Sequence, residues 1–290
     1  MKKVFLAVVA AVGILTGCNT QTDVVQSEVH GDYTQYVNPL MGTQSSFELS
    51  TGNTYPAIAM PWGMNFWTPR TNKIGDGWQY TYTANKIYGF EQTHQPSPWI
   101  NDYGQFSLMP VTGEVEMDER KRASWFSHKG EVALPHYYKV YLAEYDVVTE
   151  MAPTERASMF RFTFPDADSY VVVDAYDRGS SIKVIPEENK IIGYTTRNSG
   201  GVPENFKNYF VVVFDKPFTY KATFSNDVKP AKPDATVPVT LKEGQLEQTN
   251  FHTGAVIGFK TQKGEKVHAR VASSFISPEQ AELNLKELGN

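Results

Sequence analysis

The chain is poor in the residue types that would give away its chemistry. It has one cysteine, Cys18, in 290 residues, so no internal disulfide can form and nothing beyond residue 18 offers a thiol to a substrate or a metal. No basic run exceeds the short one around Lys121 and Arg122, and a net charge of −5 argues against a nucleic-acid footprint. Six histidines, at 30, 94, 128, 136, 252 and 268, show no H-x-x-x-H or H-E-x-x-H spacing, so no zinc motif is present. G-x-S-x-G, P-loop and G-x-G-x-x-G patterns are missing too. With 41% apolar and 20% charged residues, the chain reads as an ordinary globular protein with a neutral partner.

Its only long apolar run is at the start. Lys2 and Lys3 precede Val4–Ile14, a stretch too short for a spanning helix of about 20 residues but suited to an export signal. Leu15-Thr16-Gly17-Cys18 resembles a bacterial lipobox, which predicts a signal peptide over 1–17 and lipidation of Cys18. A polar tether over 18–33 follows. Asn19 rather than Asp after the cysteine points to the outer membrane of a bacterial envelope.

Four of the five tryptophans lie between Tyr36 and Gly113, among Asn, Asp, Gln, Gly and Pro. Flat rings beside convergent polar groups suit a sugar, whose C–H face stacks while its hydroxyls are held. The same rings also suit a tight β core. His94, Trp99, Asn101 and Asp102 stand out, because Pro96 and Pro98 place them in a loop. His94 can donate to a hydroxyl, Trp99 can stack, and Asn101 with Asp102 can fork across vicinal hydroxyls. Alternatively, Asp102 caps the turn at Gly104 and His94 bonds backbone. Gly52-Asn53 reads first as a turn that would also let a ligand approach the backbone.

From Gln105 onward, short alternating runs separated by turn residues predict sheet-on-sheet packing over 34–276, a large antiparallel β-sandwich. Strands are expected near 105–111, 136–150, 158–164, 170–175, 182–185, 190–196, 209–214, 219–224, 255–260 and 266–273. Pro186–Asn189 is expected to close one hairpin and Lys263-Gly264 another, between the last two strands. Ser277, Pro278 and Gln280 form a helix start over 277–290, followed by Ala281, Leu285 and Leu288 at helical spacing. At about eleven residues this helix is shorter than the roughly 12–15 that an isolated helix needs, and it is expected to fray. No acid pair is distinguished. Asp174/Asp177, Asp166/Asp168 and Glu187/Glu188 all read as structural, so no catalytic residue is assigned.

The order of several motifs resembles the N-terminal β-sandwich domain of glycoside hydrolase family 92, a family of exo-acting α-mannosidases. They are Val37–Thr43, Gly52–Pro56, Met60–Met64, Lys86–Phe90, Thr93-His94, Asp102–Gly104, Leu108–Gly113, Thr154–Arg156 and Ser274–Ser277. The resemblance implies calcium-dependent hydrolysis with inversion, using two carboxyl groups about 6.5–9.5 Å apart. In the family these groups, and most calcium ligands, belong to a helical barrel that follows the terminal helix and has no counterpart in these 290 residues. The sandwich contributes a wall of the mannose pocket, carried over onto Gly52, Asn53, Trp78, His94 and Asp102. Gln95–Asn101 and Gln105 depart from the family pattern, which implies a different leaving-group side. The resemblance thus implies a lipid-anchored, glycan-degrading protein that is inactive alone, completed by a helical catalytic domain that is separately encoded if not in the same chain. The alternative is a stand-alone carbohydrate-binding surface lipoprotein. A sandwich shaped to cover a barrel is also expected to expose apolar surface.

Overall fold

The computed structural model describes residues 32–44, 54–72, 79–94, 102–229 and 237–289. The export signal, Cys18 and nearly all of the tether lie outside them. The chain divides into two units, Met1–Tyr33 and Thr34–Asn290, and every described strand belongs to the second.

In chain order the strands are β1 (Phe66–Arg70), β2 (Lys86–Ile87), β3 (Gly89–Thr93), β4 (Ser107–Thr112), β5 (Ser124–Trp125), β6 (Val132–Leu134), β7 (Tyr137–Leu142), β8 (Val147–Pro153) and β9 (Ala157–Phe164). They continue as β10 (Ala167–Asp174), β11 (Ser180–Ile185), β12 (Lys190–Thr195), β13 (Asn208–Phe214), β14 (Tyr220–Asn226), β15 (Thr240–Glu243), β16 (Glu247–Asn250), β17 (His252–Thr261) and β18 (Glu265–Ser274). One sheet runs β1-β3-β4-β10-β17-β14-β15 and the other β16-β11-β12-β13-β18-β9-β8-β7-β6, with β2 and β5 as a separate ribbon. All pairings are antiparallel. The chain is the antiparallel β-sandwich that its patterning predicts.

The nine-stranded sheet follows simple alternation. β9 buries Phe160, Phe162 and Phe164 and turns Met159, Arg161 and Thr163 outward, and β7 buries Tyr138, Val140 and Leu142. Facing them are Phe90, Leu108, Val171, Val173, Ala255 and Ile257. Trp67 locks the layers edge-on, 5.5 Å from Phe106 and 4.8 Å from Phe160. In the seven-stranded sheet β4 and β17 are buried on both faces. Its outer face is covered near Asp174 by the segment carrying α1 (Glu119–Arg122), where Arg122 meets Asp174 at 3.8 Å and Glu119 meets Arg70 at 3.0 Å.

Three expectations need correction. The single strand over 136–150 is two, β7 and β8, because the chain reverses at Asp146 in a left-handed conformation (φ 52°). Lys263-Gly264 does turn the chain, with φ 79° at Gly264, but β17 and β18 belong to different sheets. The turn is a corner, pinned where the Gly264 amide donates to the Phe164 carbonyl at 2.9 Å. The terminal helix is docked rather than frayed. α2 (Pro278–Asn284) is capped by the Ser277 hydroxyl and buries Ala281 against Ala157, Val211 and Ala272. Asn284 donates to the Ser273 carbonyl at 2.8 Å, and Glu287 accepts from the Thr154 hydroxyl at 2.7 Å and the Arg156 amide at 2.9 Å. These tertiary contacts supply what so short a helix lacks by itself.

Candidate functional site

Antiparallel register sends alternate connections to opposite ends of the sandwich. One end therefore collects the segment entering β1, the β3–β4, β8–β9, β10–β11 and β12–β13 connections, and the exit from β18. Of the seven residues expected to contact sugar, His94 and Asp102 are described, and both stand on this rim. Gly52, Asn53, Trp78, Trp99 and Asn101 lie outside the described residues.

His94 and Asp102 close the neck of the β3–β4 connection. The Asp102 carboxylate accepts from the Tyr103 amide at 2.7 Å, from the His94 amide at 3.0 Å and from Gln79 Nε2 at 3.3 Å. Burial pushes this carboxyl up to about 6, although those donors and Thr93 pull the other way. The expected backbone bond of His94 is present, but Asp102 does not cap the turn at Gly104, whose amide donates to the Arg197 carbonyl at 2.8 Å. His94 Nδ1 lies 2.7 Å from the Tyr103 carbonyl, which has only lone pairs to offer, so Nδ1 carries the hydrogen. Nε2 is then an acceptor, and it is buried without a partner among the described residues. Burial holds the imidazole down at about 4, so it is neutral near pH 7.

Aromatic rings surround this pair. Tyr103 stacks on the His94 ring at 5.2 Å and Phe275 meets it edge-on at 5.0 Å, with Phe206 5.6 Å from Phe275. Gln79 and the Tyr55 hydroxyl both reach Thr93 Oγ1, at 3.1 and 3.0 Å. Tyr55, Gln79, Phe206 and Phe275 were not foreseen as parts of the site. Phe275 is reached only because β18 ends where β13 begins, and no spacing in the sequence signals that.

Beneath the rim runs a buried ionic chain. Gln105 donates to Glu91 at 2.7 Å, Tyr176 donates to the same carboxylate at 2.8 Å, and Arg197 bridges Gln105 and Asp177. Burial raises the Glu91 carboxyl, while Arg70 at 3.4 Å opposes the shift. The acid pairs singled out in the sequence stand apart from this chain. Asp174 bonds His252 at 2.7 Å, Glu188 pairs with Lys190, Asp166 is exposed on the β9–β10 turn, and Asp168 is exposed at the start of β10. Among the described residues no three carboxylate, imidazole or thiol groups converge as metal ligands.

The family model for the glycosyl hydrolase family 92 N-terminal domain matches residues 36–274. The chain belongs to this family. A solved GH92 inverting mannosidase from Bacteroides thetaiotaomicron VPI-5482 is 48% identical, with a TM-score of 0.81 over 88% of this chain and 33% of its own. A GH92 α-mannosidase from Bacteroides thetaiotaomicron is 30% identical, with a TM-score of 0.72 over 89% of this chain and 35% of its own, and it is also solved in complex with mannoimidazole. This chain therefore spans about a third of the length of these relatives. A search of curated proteins found no match.

Proposed function

We propose that this chain is the amino-terminal, sugar-contacting domain of a lipid-anchored exo-α-mannosidase that degrades mannose-containing glycans. The observation that carries the reading is the buried Nε2 of His94, which has no partner among the described residues, an acceptor held at the rim by Asp102 and framed by Tyr103 and Phe275. A buried acceptor with no donor is costly unless a ligand supplies one, and a sugar hydroxyl is such a donor. The mannoimidazole complex of the 30% identical relative makes mannose the favoured sugar. The family resemblance assigns sugar contacts to Gly52, Asn53 and Trp78 as well, and the residue types of Trp99 and Asn101 suit the same task.

The catalytic acid, the base and most calcium ligands come from a helical domain, in the same polypeptide or separately encoded, and the sandwich alone does not turn over substrate. Cys18 anchors the protein to the envelope, at the outer membrane. Titrating the protein without residues 1–18 with mannose and mannobiose is the test. Millimolar binding is expected, about −4 kcal/mol, and His94→Ala should abolish it. Absence of any heat or chemical-shift change at high sugar concentration would refute the sugar wall. α-Mannosidase turnover lost on changing a single Asp or Glu in this chain would refute placing catalysis elsewhere.

A further inference from the structure

Two exposed aromatic rings, Trp125 on β5 and Tyr141 on β7, stand together at the end of the sandwich opposite His94. Register fixes which end this is. The β8–β9 turn lies at the His94 rim, so the β7–β8 turn, one strand earlier, lies at the other. The Ala143 amide donates to the Trp125 carbonyl at 2.9 Å, which puts Trp125 beside the chain two residues, or about 7 Å, beyond Tyr141. A second bond, from the Glu144 amide to the Ser124 hydroxyl at 3.1 Å, holds the two segments together. Alternation along β7 buries Tyr138, Val140 and Leu142 and turns Tyr141 outward, while in β5 Ser124 is buried and Trp125 is exposed.

Each ring is held before any ligand arrives. Lys86, opposite Trp125 in the β2–β5 ribbon, places Nζ 4.8 Å from the centre of the indole, a cation–π contact that restrains the ring and occupies one of its faces. The Tyr141 hydroxyl donates to Asp146 Oδ1 at 2.9 Å, across the reversal that Asp146 makes at φ 52°. A single exposed ring needs no explanation. Two restrained rings on one ledge, each with a charged group at its margin, suit a sugar: pyranose C–H faces cover the rings, Lys86 donates to hydroxyls and Asp146 accepts from them. The residues that follow Tyr141 on this surface, Ala143 and Glu144, are exposed and bring charge and little apolar bulk, unlike the centre of a protein interface.

We propose that Trp125 and Tyr141 form a second glycan-binding surface, which grips the body of a neutral, mannose-rich chain at the end of the domain away from the rim. The choice of mannose rests on the mannosidase reading above. A long chain engages both rings at once, whereas mannose or mannobiose covers one and is held far more weakly. The test is affinity electrophoresis of the full chain, in neutral detergent, through gels containing soluble α-mannan, with hydroxyethylcellulose gels as control. The parent should be retarded by mannan and not by the control. Trp125→Ala and Tyr141→Ala should each weaken the apparent affinity at least about tenfold. Trp125→Phe keeps a ring and should stay within about threefold of the parent. Both positions are exposed, so all three variants should melt close to the parent. Undiminished retardation in the two alanine variants, loss of it in His94→Ala alone, equal retardation in the control polymer, or none in the parent each overturns the second surface. The titration with mannose and mannobiose judges the rim separately. A mannose signal that vanishes in His94→Ala, with mannan retardation indifferent to Trp125, keeps the mannosidase reading and removes this surface. Retardation that depends on Trp125, without any mannose signal, keeps the surface and removes the rim.

Discussion

Asn208 Nδ2 donates to Gln92 Oε1 at 3.1 Å, joining residues 116 positions apart inside the sandwich. Gln92 in turn donates to Asn65 Oδ1 at 2.7 Å and Ser273 Oγ at 2.8 Å, while Asn208 also reaches the Gly104 carbonyl at 2.6 Å. This run of amides connects the turn beside His94 to the segment entering β1. Replacing Gln92 by Met keeps the volume, removes the bond to Ser273 Oγ and takes one of two partners from Asn65 Oδ1 and Asn208 Nδ2, so the expected loss is about 2 kcal/mol. Urea denaturation should show a lower midpoint at unchanged slope, and a loss within 0.5 kcal/mol would contradict the network's role.

Asp102 and His94 give opposing contributions to the pH dependence of stability. The folded Asp102 carboxyl titrates near 6 against an ordinary 3.8, so between about pH 6 and 4 the folded state takes up a proton the unfolded chain does not, and falling pH stabilises. The folded His94 titrates near 4 against 6.5, so over almost the same range the unfolded chain takes up the proton and falling pH destabilises. Each contribution is roughly 3 kcal/mol at full extent, and they largely cancel. Relative to the parent, His94→Gln should gain stability as pH drops from 6.5 to 4, and Asp102→Asn should lose it. Melting curves across that range decide the matter, and slopes of the opposite sign would sink the assignment.

Gly104 has φ 67°, and a Cβ there would lie 2.8 Å from Cβ of Asn208 and 3.0 Å from the Phe275 ring. Gly104→Ala therefore combines backbone strain with a clash against two fixed groups, and about 2–4 kcal/mol of destabilisation is expected. Calorimetry would measure it. The amide signals of His94 and Tyr103 should shift with it, because the turn they share cannot stay in place.

Glu287 fastens the chain end to the β8–β9 turn through Thr154 and Arg156. Glu287→Ala should cost about 1 kcal/mol, with the surface share of the ion pair contributing little of it. Hydrogen exchange gives the sharper readout. Amides of residues 281–284 should be well protected in the parent and exchange at least tenfold faster in the variant.

What could be read from the sequence was local. The Ser277 cap and the Pro186–Asn189 hairpin, with Asn189 left-handed at φ 50°, depend on residues a few positions apart and formed as expected. The strand over 136–150 ran too long because Tyr145 keeps the apolar alternation going through a reversal that only Asp146 makes. Sheet membership was invisible at Lys263-Gly264, since a hairpin and a corner use the same turn chemistry and differ only in which distant strands are waiting. For the site, the adjacency of His94 and Asp102 was legible across a short loop. The amides of Asn65, Gln92 and Asn208 were not, because each looks like an ordinary polar residue until strands far apart in sequence bury it.

The alternation of connections between the two ends has an evolutionary corollary. Loops at the rim can lengthen, shorten or exchange residues without moving an inward-facing side chain of β9 or β17, because strand register, and not loop length, fixes the interior. The rim is in effect an interchangeable part. Relatives that share this sandwich can diverge in what they recognise through insertions at a handful of junctions, and grafting the β3–β4 and β12–β13 connections between them is the natural unit of exchange.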